Sequence, residues 1–181
     1  MPATQSRHVD PERKDRIIEA CLTVIAERGV AGTSHRVVAA EAHVPLGSMT
    51  YYFDGMHDLL HQAFERFADC AVARFAARME SAANADEACE VIAASIEHDS
   101  LASPNELNIG LEFYTLAARD PSFRDISDRW MASIQYSMAQ YFDAETVILL
   151  DAMIEGLTFI ALSAASPKTR NPFLMEYVVS L

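Results

Sequence analysis

Hydrophobic residues recur at helical spacing along most of the chain. Ile17, Ile18, Cys21, Leu22 and Ile25 fall on one face, Asp10-Pro11 supplies a cap and a first-turn proline, and Gly29 ends the run. Thr33-Ser34 offers a second cap before HRVVAAEA, a short run whose small Ala and Val side chains let another helix cross closely. His43-Val44-Pro45 breaks that run, and a third short helix is expected through Leu46 to Phe53. Two short helices joined by a tight turn and packed on a longer first helix describe a helix-turn-helix. A fourth helix is expected from Asp54-Gly55 to about Glu80, with Leu60, Phe64, Phe67, Ala71, Phe75 and Met79 as its buried stripe. At about 1.5 Å per residue it extends on the order of 35–40 Å.

Further helices are expected near residues 84–100, 103–119, 122–142 and 145–165, with a clear break at Asp120-Pro121. Ile126, Trp130, Ile134, Met138 and Tyr141 make one stripe, and NPFLMEYVVSL reads as a short docked tail. The last long helix, ETVILLDAMIEGLTFIALSAA, is apolar nearly all round, so it is expected to be covered on most sides. The pattern is therefore all-α: an N-terminal three-helix helix-turn-helix in residues 1–53 and a helical body in residues 54–181.

The length of 181 residues suits one domain or two small ones, and 51% hydrophobic residues can bury a sizeable core. No apolar run is long enough to span a bilayer, and MPATQSRHVD is too polar for a signal peptide, which points to the cytoplasm. Cys21, Cys70 and Cys89 are odd in number and widely spaced, and read as buried thiols rather than a disulfide frame or a zinc site. The net charge of −12 argues against a nucleic-acid partner until its distribution is considered. Residues 1–53 hold six basic and six acidic residues; residues 54–181 hold eight basic and twenty acidic, which is the whole excess. A neutral head can approach a polyanion that the acidic body avoids, although few phosphates would be neutralised.

The stretch VPLGSMTYYF places three aromatic rings beside Pro, Gly, Ser and Thr, an unusual mixture for a core or a loop. On a helix, Met49 and Phe53 lie four residues apart and can anchor one face. The other face carries Leu46, Gly47, Ser48, Thr50 and Tyr51. Gly47 permits close backbone approach, Ser48 and Thr50 offer short hydrogen-bonding groups, Tyr51 and Tyr52 offer hydroxyls suited to phosphate oxygens, and Leu46 suits a thymine methyl group.

These residues carry a resemblance. GTSHRVVAAEAHVPLGSMTYYFDGMHDLL resembles the DNA-binding segment of the TetR family of bacterial transcriptional regulators. Thr33, Arg36, Val38, Ala39, Ala42, Val44, Gly47, Ser48, Met49, Tyr52 and Phe53 fit the family pattern over about 50 residues; VPLGSMTYYF and the later DAMIEGLTF look closest to the RcdA-type branch. Three positions depart from it. His43 stands where the family has a turn Gly, in a place that needs left-handed backbone. Thr50 replaces a phosphate-binding Tyr, and Met56 replaces a Lys of the fourth helix. The last two changes weaken backbone contacts and shift the load to base contacts, to Tyr51 and Tyr52, or to an arm containing Arg7.

The resemblance implies a homodimer that binds an inverted-repeat operator, with a C-terminal domain that binds a small-molecule effector and dimerises through the last helices. It implies a repressor, or alternatively an activator, that needs no cofactor and is not an enzyme. The candidate DNA contacts are Ser34, His35, Arg36, Leu46, Gly47, Ser48, Thr50, Tyr51 and Tyr52. The candidate effector contacts are Glu112, Tyr114, Trp130, Met131 and Glu155, because an adaptable Met and aromatic lining suits a ligand and a carboxylate on an apolar face needs a partner: an Arg such as Arg129, or a cationic or hydrogen-bonding ligand.

Two other readings compete. HDLLH puts His57 and His61 one turn apart, a metal-ligating spacing, but Asp58 is short for a general base and no third ligand is placed. A protein-interaction module would instead use the apolar C-terminal helices with a different partner. No Gly-rich phosphate loop or Ser/His/Asp arrangement is present in the sequence.

Overall fold

A computed structural model describes residues 12–96 and 104–163. The proposed cap at Asp10, the Arg7 arm, His98 and the NPFLMEYVVSL tail lie outside these residues. By contact the chain divides into Met1–Phe64 and Glu65–Leu181.

The first unit begins with α1, Arg13–Arg28. Ile17, Cys21 and Ile25 are fully buried on its inner face, and Gly29, at φ 68°, ends it in a conformation that L side chains avoid. Burial pushes the Cys21 thiol up to about 12. Helix α2, His35–Glu41, starts at Ser34, whose hydroxyl accepts from Val37 N at 3.4 Å.

The turn after α2 is a Schellman cap. His43 N donates to Ala40 O (3.2 Å), Val44 N donates to Ala39 O (3.0 Å), and His43 sits at φ 53°. The left-handed backbone expected of His43 is thus present. A 3-10 turn, Leu46–Ser48, leads into α3, Met49–Tyr52. Met49 and Phe53 are buried, and the Lys14 ammonium lies 5.8 Å from the Phe53 ring centroid.

Helix α4 runs Gly55–Met79. Gly55 has φ 87°, and Asp54 N donates to Asp58 Oδ2 at 2.8 Å, closing a tight helix start. The buried stripe keeps Phe64, Phe75 and Met79, but Leu59 rather than Leu60 is fully buried, one turn before Ala63, and Phe67 and Ala71 are only half-buried.

In the second unit, α5 (Ala85–Ser95) is capped by Asn84, which accepts from Glu87 N while Glu87 bonds back to Ala83 N. Helices α6 (Pro104–Arg119), α7 (Arg124–Met138, after a 3-10 turn capped by Asp120) and α8 (Ala144–Ser163) follow. Phe75, Met79, Ala88, Ile92, Met138, Val147 and Leu150 form a core drawn from α4, α5, α7 and α8. Tyr141 ties the end of α4 to this core, its hydroxyl shared between Met79 O (2.8 Å) and Ala82 O (3.0 Å). The expectation that α8 is covered on most sides does not hold within one chain: Ile148 and Leu149 are 63% and 55% exposed. Cys70 is exposed and Cys89 half-buried, so only Cys21 is the buried thiol expected of all three. No described helix is long and apolar enough to cross a membrane.

Candidate functional site

The first unit presents α2, the Schellman turn and α3 as one surface. Arg36, Leu46, Gly47, Thr50 and Tyr51 are exposed on it, Tyr51 by 72% and Leu46 by 54%. A core would not leave two large apolar bodies in water side by side, so this surface is suited to a partner. Tyr51 and Tyr52 meet edge to face at 4.8 Å, which fixes the Tyr51 ring against the half-buried Tyr52. A Cβ added at Gly47 would meet nothing within 4 Å, so the glycine answers no need inside the chain and leaves a flat place for a close-approaching surface. The Thr50 hydroxyl donates to Gly47 O at 3.3 Å.

Three predicted contacts are placed differently. Ser48 is buried, not outward: the 3-10 turn advances about 120° per residue, which rotates Ser48 toward Met49 and the core. Ser34 is exposed but its oxygen is committed to the α2 cap. His35 is half-buried, and its Nε2 is enclosed with no hydrogen-bond partner among the described residues. His57 is exposed and His61 half-buried. Asp58 serves the helix start: burial opposes its ionisation, but Gln62 Nε2 (2.7 Å), Asp54 N, Lys14 and His61 outweigh that and hold it below the usual carboxylate range. Among the described residues no group of three or more His, Cys, Asp or Glu is placed to hold a metal ion.

The second unit contains a cavity of about 160 Å³ between α4, α5, α6, α7 and α8. Of the five candidate effector residues, Tyr114, Trp130, Met131 and Glu155 line it. Glu112 does not: it lies about 100° past Leu111 on α6, while Leu107, Gly110, Leu111 and Tyr114 share the cavity side. Arg129 does not reach Glu112 or Glu155 either; it pairs with Glu65 at 2.8 Å and lies 3.5 Å from Asp125.

Tyr114 and Trp130 stack at 6.0 Å with ring planes 13° apart, and Phe67 meets Trp130 edge-on at 5.5 Å. The Tyr114 hydroxyl donates to Glu155 Oε1 at 3.0 Å. Burial pushes the Glu155 carboxyl above the usual glutamate range; the Tyr114 bond opposes this and the charge of Asp151 adds to it. Burial and Glu155 together push the Tyr114 phenol up, so it stays a donor. The sequence reading missed Asp151, which is 7% exposed and accepts from Gln135 Nε2 at 2.8 Å. Its position four residues before Glu155 was the available signal. It also missed the ion pair of Arg74 with Glu106, bidentate at 3.1 and 2.8 Å, at the cavity wall.

Residues 17–63 match the model of the bacterial regulatory proteins of the tetR family. A putative transcriptional regulator of Streptomyces coelicolor A3(2), SCO7518, is 42% identical; the match covers 94% of this chain and 98% of that one, with a TM-score of 0.85. The multidrug binding protein EbrR, solved in complex with ethidium, is 31% identical over 94% of this chain and 96% of its own, with a TM-score of 0.72. The HTH-type transcriptional regulator PksA of Bacillus subtilis (strain 168) is 42% identical over 55 residues, and the chain spans only 27% of that protein. The helix-turn-helix match and the whole-chain likeness agree, and the chain is a DNA-binding transcriptional regulator of the TetR family.

Proposed function

We propose that the protein is a homodimeric, effector-responsive repressor acting in the cytoplasm, with residues 1–53 as the DNA-reading head and 54–181 as the effector-binding and dimerisation body. The observation that carries the reading is the exposed face of Arg36, Leu46, Gly47, Thr50 and Tyr51, held outward while Met49 and Phe53 anchor the same short helix from behind. Two copies of α3 would enter successive major grooves on one side of an inverted repeat, as two-fold symmetry requires. Leu46 would meet a thymine methyl, Gly47 would let the backbone approach base edges, and Tyr51, Thr50 and Arg36 would reach phosphates or bases.

The exposed Tyr136, Ile148 and Leu149, beside Gly156 where an added Cβ would meet nothing within 4 Å, support pairing of two copies through α7 and α8. The cavity behind Tyr114 and Trp130 would hold the effector, and its occupancy would disfavour the head spacing that DNA requires. The likeness to a multidrug binding protein solved with a small molecule supports a small-molecule effector.

Selection of genomic fragments by the purified protein at near-physiological salt, followed by sequencing, tests this reading. Enrichment of a palindromic site is the expected result. A flat profile from a well-folded dimer would remove the α3 face as a sequence reader.

A further inference from the structure

We propose that the cavity of the second unit selects an aromatic organic cation, its positive charge held by Glu155 with Asp151 one turn behind and its ring laid against the Tyr114–Trp130 stack. This rests on the reading of that cavity as the effector site.

The charges of the wall set the sign. Among the described residues its ionisable lining is Arg74, Glu106, Asp151 and Glu155, with the Tyr114 phenol, so one cation stands against three carboxylates. Arg74 is not available to a ligand: both of its terminal nitrogens are engaged by Glu106 at 3.1 and 2.8 Å, a fork that neutralises the pair. Two carboxylates remain, four residues apart on α8. Asp151 is more than nine-tenths buried and accepts from the Gln135 amide; Glu155 is half-buried and accepts from the Tyr114 hydroxyl. Among the described residues no cation meets either one. Neutral donors orient these groups without balancing their charge, and two like charges on successive turns repel. A ligand cation supplies the missing balance, and an anion would add a third negative charge to the same wall.

The aromatic wall sets the shape. Tyr114 and Trp130 are nearly parallel, and Phe67 packs its edge on Trp130, so flat faces with negative quadrupole border the carboxylates. Such faces attract a flat cation through both stacking and cation–π contact. Leu111, Met131 and Ile134 complete an apolar lining that rewards a ring over a small hydrated ion.

Trp130 is the single tryptophan of the chain and borders both this cavity and a neighbouring pocket lined by Glu65, Arg129 and Tyr136, so its quenching is read together with a change at Glu155, which lines this cavity and not the other. The probes are N-methylquinolinium, permanently charged, and quinoline, which has nearly the same shape and is neutral at mildly alkaline pH. Titration calorimetry alongside saturable Trp130 quenching is expected to show the cation binding at least about tenfold more tightly. Glu155→Gln, which keeps the Tyr114 bond geometry, is expected to cut cation affinity about tenfold and leave quinoline affinity unchanged. Retained quinoline binding in the variant shows that the cavity is still formed. Equal affinity for the two probes, or a cation affinity unmoved by Glu155→Gln, overturns the cation inference alone. Saturable binding of neither probe overturns both this inference and the effector-site reading beneath it.

Discussion

Gly47→Glu separates folding from DNA reading in a single change. An added Cβ at Gly47 meets nothing within 4 Å, the residue is exposed, and it is not among the positive-φ glycines. The substitution therefore meets no steric barrier in the free protein. It also removes some freedom of the unfolded chain in a helical turn, so stability should rise by roughly 0.5 kcal/mol. On DNA the same carboxylate would stand in the groove beside phosphates. At about 5–8 Å and a water-like dielectric, each phosphate repels it by roughly 0.5–0.8 kcal/mol. Two or three phosphates, together with the blocked approach of the backbone, give about 1.5–2 kcal/mol for each head. Two heads give about 3–4 kcal/mol, which is a loss on the order of 100- to 1000-fold in affinity. Fluorescence anisotropy with the selected operator, beside a thermal melt, checks both halves. Operator affinity equal to wild type in a variant that melts no earlier would refute the assignment of α3 as the reading element.

Arg36→Ala, at an exposed position on α2, is expected to weaken operator binding by roughly 1–3 kcal/mol; an unchanged dissociation constant would remove Arg36 from the contact surface. His43→Gly should relieve the left-handed backbone of the Schellman turn and stabilise the head by about 0.5–1 kcal/mol in denaturant melts, whereas His43→Val should destabilise it. Tyr141→Phe removes the one hydroxyl proton shared by Met79 O and Ala82 O and should cost about 1 kcal/mol, read as a lower denaturation midpoint at constant slope. Glu155 titrates above its ordinary range in the folded chain, so the folded state holds the proton that the unfolded state releases. Stability should therefore fall as pH rises from the ordinary glutamate range to the raised one, and Glu155→Gln should flatten that slope in melts across mildly acidic pH.

Local chemistry and periodicity by themselves determined the helical order of this protein. Ser34 as a cap, Gly29 as a stop, the Asp120-Pro121 break and the four-residue spacing of Met49 and Phe53 act over one or two turns, so their consequences are written in adjacent residues. The resemblance carried by VPLGSMTYYF has the same origin, since it depends on a short segment with a tight turn. Only the tertiary structure decided which polar groups meet. Ser48 looked outward by an α-helical wheel, but a 3-10 turn rotates it inward. Glu112 and Glu155 looked equivalent as carboxylates on apolar helices, yet only Glu155 faces the cavity, because the packing of α6 turns Gly110, Leu111 and Tyr114 toward α7 and α8. Arg129 was expected near those carboxylates and instead pairs with Glu65, 64 residues earlier in the chain. Asp151 gained its importance from Gln135 and from burial, neither of which is visible in the residues beside it. Helix formation is governed by neighbours in sequence, whereas a cavity is made by side chains tens of residues apart, whose meeting is fixed by how whole helices rotate against each other to bury their apolar stripes.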